Sequence, residues 1–397
     1  MEPPDLPMAI PDEIRHYPLG GLMVTQLIFL MRGHRLVSGS VVDTQPAAGR
    51  TDGSGVEGLS SVAPQHSNAP AAPREKSIAP LMQLVDADMQ RVNQMILDMA
   101  AANAEMIPEI ARHLIDSGGK RLRPMLTLAA ALACGYRGDD HVKLAATVEF
   151  MHTATLLHDD VVDESELRRG KPSARMVWGN QASVLVGDYL LGQAFRTMVE
   201  VGSLDALAVL SRAAAVIAEG EVLQLMNMHD ASLDQAAYLR VIRSKTAKLF
   251  EASARLGAVL AHADARMEQA CADYGQALGT AFQVIDDVLD YDGDAGEMGK
   301  NLGDDLREGK ATLPLIAAME RGTAEQREVV RHAIETGGVA ELDRIVAIVK
   351  ETGALAVTRD AAAAEARRAV DAARLLPPNA YSQGLLQLAA QLLQRRN

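Results

Sequence analysis

The chain has 397 residues, 48% of them apolar, 23% charged and only 3% aromatic. Lys plus Arg number 39 against 52 Asp plus Glu, a formal net charge of −13, which argues against a general nucleic-acid binder because phosphate contacts need clustered basic charge. No apolar run approaches the roughly 20 residues of a membrane-spanning helix, and the two cysteines, Cys134 and Cys271, have no zinc-ligand spacing and read as small buried residues in a reducing cytoplasm.

In chain order, residues 1–75 stand apart. Ser38 to Pro73 is rich in Gly, Ser, Ala and Pro without a sustained hydrophobic period, so it cannot bury enough apolar surface to offset chain entropy and is expected to be disordered. Glu2, Asp5, Asp12 and Glu13 precede a short apolar run, Leu22 to Met31, which suits neither a signal peptide nor a transit peptide. An upstream start codon, with Met82 as an internal start, is the alternative account.

From residue 76 the pattern turns helical. Leu81, Leu84, Val85 and Val92 open an amphipathic segment. Leu126 to Ala133 and Leu144 to Leu157 are almost wholly apolar and predict helices buried all round. Further helices are expected over 181–201, 204–228, 235–263, 266–291, 313–320, 325–336, 339–351, 354–374 and 381–395. Breaks are expected at 170–172, 202–203, 293–309, 337–338 and 377–378, where Gly and Pro gather. No strand alternation is visible. The expectation is all-α: a single large helical bundle around a central cavity over 76–397, with a disordered N-terminal extension over 1–75.

Two clusters carry the chemistry: Asp159-Asp160-Val161-Val162-Asp163 and Asp286-Asp287-Val288-Leu289-Asp290. Each is DDxxD following an apolar helical segment. On a helix, positions i and i+4 lie about 40° apart on one face, so Asp159 pairs with Asp163 and Asp286 with Asp290. Carboxylates so close raise each other's pKa and are costly without cations. Hard oxygen ligands of this type suit magnesium, which keeps waters and bridges to substrate phosphates. A solvated acidic helix end is the bland reading of one such cluster; two copies, each backed by basic residues, make it a poor one. A di-iron bundle would need Glu-x-x-His pairs, and none is placed to serve both clusters.

Basic residues supply the complement. Gly118-Gly119-Lys120-Arg121-Leu122-Arg123-Pro124 combines a tight turn, a helix start and three cations, a natural anion site although not a Walker loop. Arg168 and Arg169 follow the first acidic cluster, Lys245 and Thr246 head an apolar segment, and a Gly-rich charged stretch around Lys300 follows the second cluster and reads as a mobile lid.

The chain resembles the trans-isoprenyl diphosphate synthases, or polyprenyl synthetases. The matching strings are GGKRLRP at 118–124, FMHTATLLHDDVVDESELRRG at 150–170, SKTAKLFEAS at 244–253, GTAFQVIDDVLDY at 279–291 and GKNLGDDLREGKATLP at 299–314. The resemblance implies a magnesium-dependent prenyltransferase that adds isopentenyl diphosphate to an allylic diphosphate such as farnesyl diphosphate. It implies that Asp159, Asp163 and Asp286 bind the metal, supported by Asp160, Asp287 and Asp290. Lys120, Arg123, His152 and Arg169 would hold isopentenyl diphosphate, and Arg168, Lys245 and Lys300 the allylic diphosphate. Thr246 and Gln283 would place oxygens near the developing carbocation. A cytoplasmic homodimer that hands an apolar product to a membrane surface is also implied.

Within the family, the residue five positions before the first aspartate lines the elongation tunnel. Here that is Ala154, with Thr155 next and Met151 one turn earlier, and none is an aromatic plug. The string around Asp159 looks most like the octaprenyl to decaprenyl synthases of quinone side-chain synthesis, so a product of roughly forty to fifty carbons is expected. A shorter-chain synthase and a non-catalytic subunit of a heteromeric synthase are the alternatives; such subunits usually lose one acidic cluster, and this chain keeps both. A terpene cyclase would be richer in aromatics and would not need Lys120 and Arg123.

Overall fold

A computed structural model describes residues 79–116, 121–292 and 303–394. The expected disordered extension, Lys120, Lys300 and most of the expected lid lie outside the described residues.

The described chain is helical almost throughout. In order come α1 (Ala79–Ala100), α2 (Met106–Asp116), α3 (Leu122–Ala133), α4 (Asp140–Val162), α5 (Ala174–Val201), α6 (Leu204–Met226), α7 (Gln235–Ile242), a π-helical turn (Arg243–Ala247), α8 (Lys248–Leu260) and α9 (Ala265–Asp292). The rest is α10 (Asp304–Arg307), α11 (Leu313–Arg321), α12 (Ala324–Thr336), α13 (Leu342–Glu351), α14 (Ala354–Ala373) and α15 (Ala380–Gln394). Local chemistry sets many ends. Ser203 accepts from the Ala206 N–H and Asp234 from the Ala237 N–H as N-caps, and Thr323 with Gln326 forms a capping box. Gly202 and Gly337 end α5 and α12 at positive φ.

Two departures from the sequence expectation bear on the site; elsewhere α5 begins at Ala174 rather than 181, and α10 falls inside the break expected over 293–309. Leu167–Arg168 and Lys171–Pro172 pair as two short antiparallel strands, β1 and β2. Their turn is Arg169-Gly170, both at positive φ, the requirement of a tight type I′ hairpin. The expected single helix over 235–263 is interrupted by the π turn, which carries Lys245 and Thr246.

The main core runs through α1 to α6, α8, α9, α14 and α15, and α4 lies along α5 while α14 lies along α9. Small residues let helices approach closely. A Cβ on Gly257 would collide with the Ala130–Ala131 backbone of α3, and one on Gly220 would sit 2.8 Å from Lys245 N. Gly220 therefore lets α6 lie against the π turn and sets Glu221 beside Lys245. A second core joins the end of α9 to α10 through α13 and the start of α14. No described helix is long and apolar enough to cross a membrane.

Candidate active site

One cavity of about 1240 Å³ is walled by α4, the hairpin, α6, the π turn, α9, the start of α3 and the loop after α10. Asp159 and Asp163 reach it from one side and Asp286, Asp287 and Asp290 from another, so both acidic clusters open onto the same space. Each cluster lies at the C-terminal end of its helix, where the macrodipole is negative and further anions are disfavoured. That placement is tolerable only with cations close by.

The cations at the first cluster are Lys245 and Lys310. Lys245 Nζ lies 2.6 Å from Glu221 and 3.9 Å from Asp159. Lys310 Nζ lies 3.1 Å from Asp163 and also pairs with Glu308. Burial and the neighbouring Asp163 raise the Asp159 pKa against the pull of Lys245. At Asp163 burial pushes upward, but Lys310 and Lys245 pull harder and the net shift is downward. Burial, with Asp159 nearby, lifts Glu221 to about 7. Asp160 turns away from the cavity. It is fully buried, and one carboxylate oxygen accepts from Arg168 Nε at 2.8 Å and Nη2 at 2.5 Å. The hairpin thus returns Arg168 to the helix that precedes it.

The second cluster is held by a polar chain. The Thr246 hydroxyl donates to Gln283 at 3.0 Å, the Gln283 amide donates to Asp287 at 2.8 Å, and the Tyr238 hydroxyl donates to the other Asp287 oxygen at 2.5 Å. Asp287 is buried, and burial together with Asp305 pushes it up to about 8. Asp290 accepts the Asp305 N–H at 3.3 Å, while Asp286 is exposed at the cavity wall.

Arg123, His152, Arg169, Arg121 and Glu149 gather at the end of the cavity formed by the start of α3. The Arg123 guanidinium stacks 4.3 Å over the Phe250 ring, a favourable cation–π arrangement. It also lies 3.1 Å from His152 Nε2, and its Nε is buried without a hydrogen-bond partner. Burial lowers the Arg123 pKa to about 10. Burial and the cations Arg123 and Arg169 push His152 well down, so the imidazole is neutral and accepts from Arg123. The apolar walls include Leu114, Ile115, Leu156, Ile217, Phe250 and Phe282.

Of the expected product-length residues, Thr155 lines the cavity. Ala154 and Met151 do not; they are 1% and 2% exposed, inside the main core. Helix geometry explains the difference. His152, Leu156, Asp159 and Asp163 form the cavity stripe of α4, and Ala154 is two residues from both His152 and Leu156, about 200° around the axis. Sequence reasoning did not single out Glu221, Tyr238, Glu149 or Lys310. Lys310 alone carried a signal, since it closes the GDDLREGK string after the second cluster.

The backbone is also unusual here. Among the described non-glycine residues, Arg121, Glu164, Arg169, His229 and His262 have positive φ, and the first four line the cavity. Left-handed geometry costs roughly 1–2 kcal/mol per residue and gathers where a site dictates the backbone.

A helical bundle enclosing one cavity between two aspartate-bearing helices defines an isoprenoid-synthase type of enzyme fold. Comparison with known proteins agrees. The polyprenyl synthetase family profile matches residues 104–351. The octaprenyl diphosphate synthase of Escherichia coli (strain K12) is 49% identical over 314 residues, 79% of this chain and 97% of that protein. A polyprenyl synthase of Caulobacter crescentus CB15, solved in complex with calcium and isoprenyl diphosphate, superposes with a TM-score of 0.79 at 48% identity, covering 82% of this chain and 100% of that one. A decaprenyl diphosphate synthase of Rhodobacter capsulatus superposes with a TM-score of 0.77 at 47% identity, covering 81% and 100%. The chain belongs to the polyprenyl synthetase family.

Proposed function

We infer that the protein is a long-chain all-trans polyprenyl diphosphate synthase, extending an allylic diphosphate with isopentenyl units to the octaprenyl to decaprenyl range. The observation that carries this is a cavity shared by both aspartate clusters, polar where they and the cations meet and apolar beyond. The long products named for the relatives in Escherichia coli and Rhodobacter capsulatus support the length. Quinone side-chain synthesis is the use that fits such a product. We assign the activity to residues 76–397, with residues 1–75 outside the catalytic domain.

Divalent magnesium is the proposed cofactor. The donor chemistry fits: the carboxylates of Asp159, Asp163 and Asp286 on the cavity wall are hard oxygen ligands. Among the described residues no three acidic, imidazole or thiol groups are already gathered as a closed ligand set. Magnesium is characteristically held by one or two carboxylates with waters and substrate phosphates. When bound, the ions supply positive charge that eases departure of diphosphate. Asp160, Asp287 and Asp290 stand behind the ligands; Asp160 orients Arg168, and Asp287 anchors Gln283.

Lys245, Arg168 and Lys300 are assigned to the allylic diphosphate, with Lys310 added on its position beside Asp163. Lys120, Arg123, His152 and Arg169 are assigned to isopentenyl diphosphate. The neutral His152 accepts from Arg123 and fixes its guanidinium. Thr246 and Gln283 present oxygens to the cationic carbon after the C–O bond breaks, and the apolar walls exclude water that would quench it. The isopentenyl double bond attacks, and the departed diphosphate removes the proton, so no separate side-chain base is required.

Homodimerisation is part of the proposal. Leu185 and Val199 on α5 and Leu204, Val222 and Leu225 on α6 are large, apolar and exposed, a concentration that suits a subunit interface. Incubation of purified protein with magnesium, labelled isopentenyl diphosphate and farnesyl diphosphate, with products sized by chromatography, tests the activity. Long all-trans products that vanish with chelator and return with magnesium are expected. Turnover that persists in chelator, or products stopping at geranylgeranyl length, would overturn the assignment.

A further inference from the structure

The two cysteines in the sequence are 137 positions apart, yet the fold brings their sulfurs to 3.9 Å. Cys134 ends α3 and is partly exposed, while Cys271 lies on α9 and is 1% exposed. Neither lines the cavity, so the pairing is not a consequence of the catalytic arrangement. We propose that Cys134 and Cys271 form an oxidisable pair that closes into a disulfide, stapling the end of α3 to α9 when a small-molecule disulfide is present.

The geometry permits closure. A disulfide needs its sulfurs about 2.0 Å apart, so the gap closes with roughly 1 Å of movement at each sulfur. Cys134 sits at a helix end followed by Gly135 at φ +85°, where the backbone yields more readily than inside a helix. Access and chemistry divide the roles. Cys134 is the more exposed of the two residues. The thiol contact between them holds the Cys134 pKa down, whereas that same contact and burial push Cys271 up. The Cys134 thiolate attacks the small disulfide, forming a mixed disulfide and releasing one thiolate. Cys271 then attacks the Cys134 sulfur, releasing the second. Two protein thiols and one small disulfide become one protein disulfide and two small thiols, the two thiol protons passing to the leaving thiolates.

The bond would cross-link the helix that begins at Arg121 and Arg123 to the helix that ends at Asp286 and Asp290, closing a long loop of the unfolded chain. Long loops stabilise most when closed.

The test uses the full chain equilibrated with oxidised glutathione in excess over reduced glutathione, then denatured and alkylated. The expected result is a chain not cross-linked to another, with no alkylatable thiol and an intact mass lower by two hydrogens; before denaturation, the oxidised protein should melt roughly 5 °C or more above the reduced one. Cys271→Ser should trap glutathione on Cys134, and Cys134→Ser should leave Cys271 unmodified in the folded protein. Two thiols still alkylatable, a persistent glutathione adduct on the wild-type chain, cross-linked dimers, or an oxidised protein that melts no higher than the reduced one would each overturn the proposal.

Discussion

Lys310 Nζ lies 3.1 Å from Asp163 Oδ2 although the residues are 147 apart in sequence. This pair joins the end of α4 to the loop that follows the second acidic cluster, and it puts a cation where a diphosphate would be bound. Lys310→Ala should lower kcat/KM about 100-fold, the scale seen when one electrostatic donor to developing charge is removed. Steady-state kinetics with farnesyl diphosphate as primer read this directly; a change below twofold would place Lys310 outside the reaction.

Arg123 is held by Phe250 and His152. Arg123→Leu should raise KM for isopentenyl diphosphate by at least about tenfold, equivalent to losing one charge-assisted hydrogen bond, with little change in KM for the allylic primer. Equal effects on both substrates would contradict the division of the site.

Two carboxyl groups, the partly buried Glu221 at about 7 and the buried Asp287 at about 8, stand well above their ordinary values of 4.5 and 3.8. Their folded-state pKa values are raised, so their contribution to stability is fully present below the unfolded values and is lost as pH rises through about 7 and 8. Without divalent cation the melting temperature should therefore fall across that window, relative to variants Glu221→Gln and Asp287→Asn. Binding of magnesium nearby favours the ionised carboxylates. Adding it in weak buffer below pH 7 should release protons, and above pH 9 it should release almost none. A calorimetric titration in buffers of different ionisation enthalpy measures the count.

Product length gives a test between two neighbouring positions. Thr155 faces the cavity, whereas Ala154 is packed in the core on the opposite side of α4. Thr155→Tyr should shorten the product with little loss of stability. Ala154→Tyr must overpack the core, costing roughly 1–3 kcal/mol, and should lower the melting temperature. If Ala154→Tyr shortens the product without that loss, the growing chain passes behind α4.

Much of the architecture was readable from residues alone. The helices over 204–228 and 354–374 are observed at Leu204–Met226 and Ala354–Ala373, because Ser203 caps the first and Gly353, at positive φ, separates the second from α13. The polar cavity residues sharing the stripe of Asp159 and Asp163 follow the helical period. The hairpin at 167–172 escaped notice because two residues per strand cannot show alternation. The π turn escaped because one extra residue in a helical turn leaves the hydrophobic period almost intact, although it is what presents Lys245 and Thr246. Nothing local in the sequence marks Glu221 or Tyr238. Their partners, Lys245 and Asp287, are brought to them only by the packing of α6 on the π turn and of α7 on α9.

The left-handed residues around the cavity also bear on how this enzyme could be engineered. Glycine at Arg121 or Arg169 would relax the backbone, and a screen that rewards heat tolerance alone would drift toward it. The same change would strip guanidinium groups from the end of the cavity that also holds Arg123. Directed evolution of this scaffold should therefore score turnover and robustness together, since at these positions a sturdier protein would be a poorer catalyst.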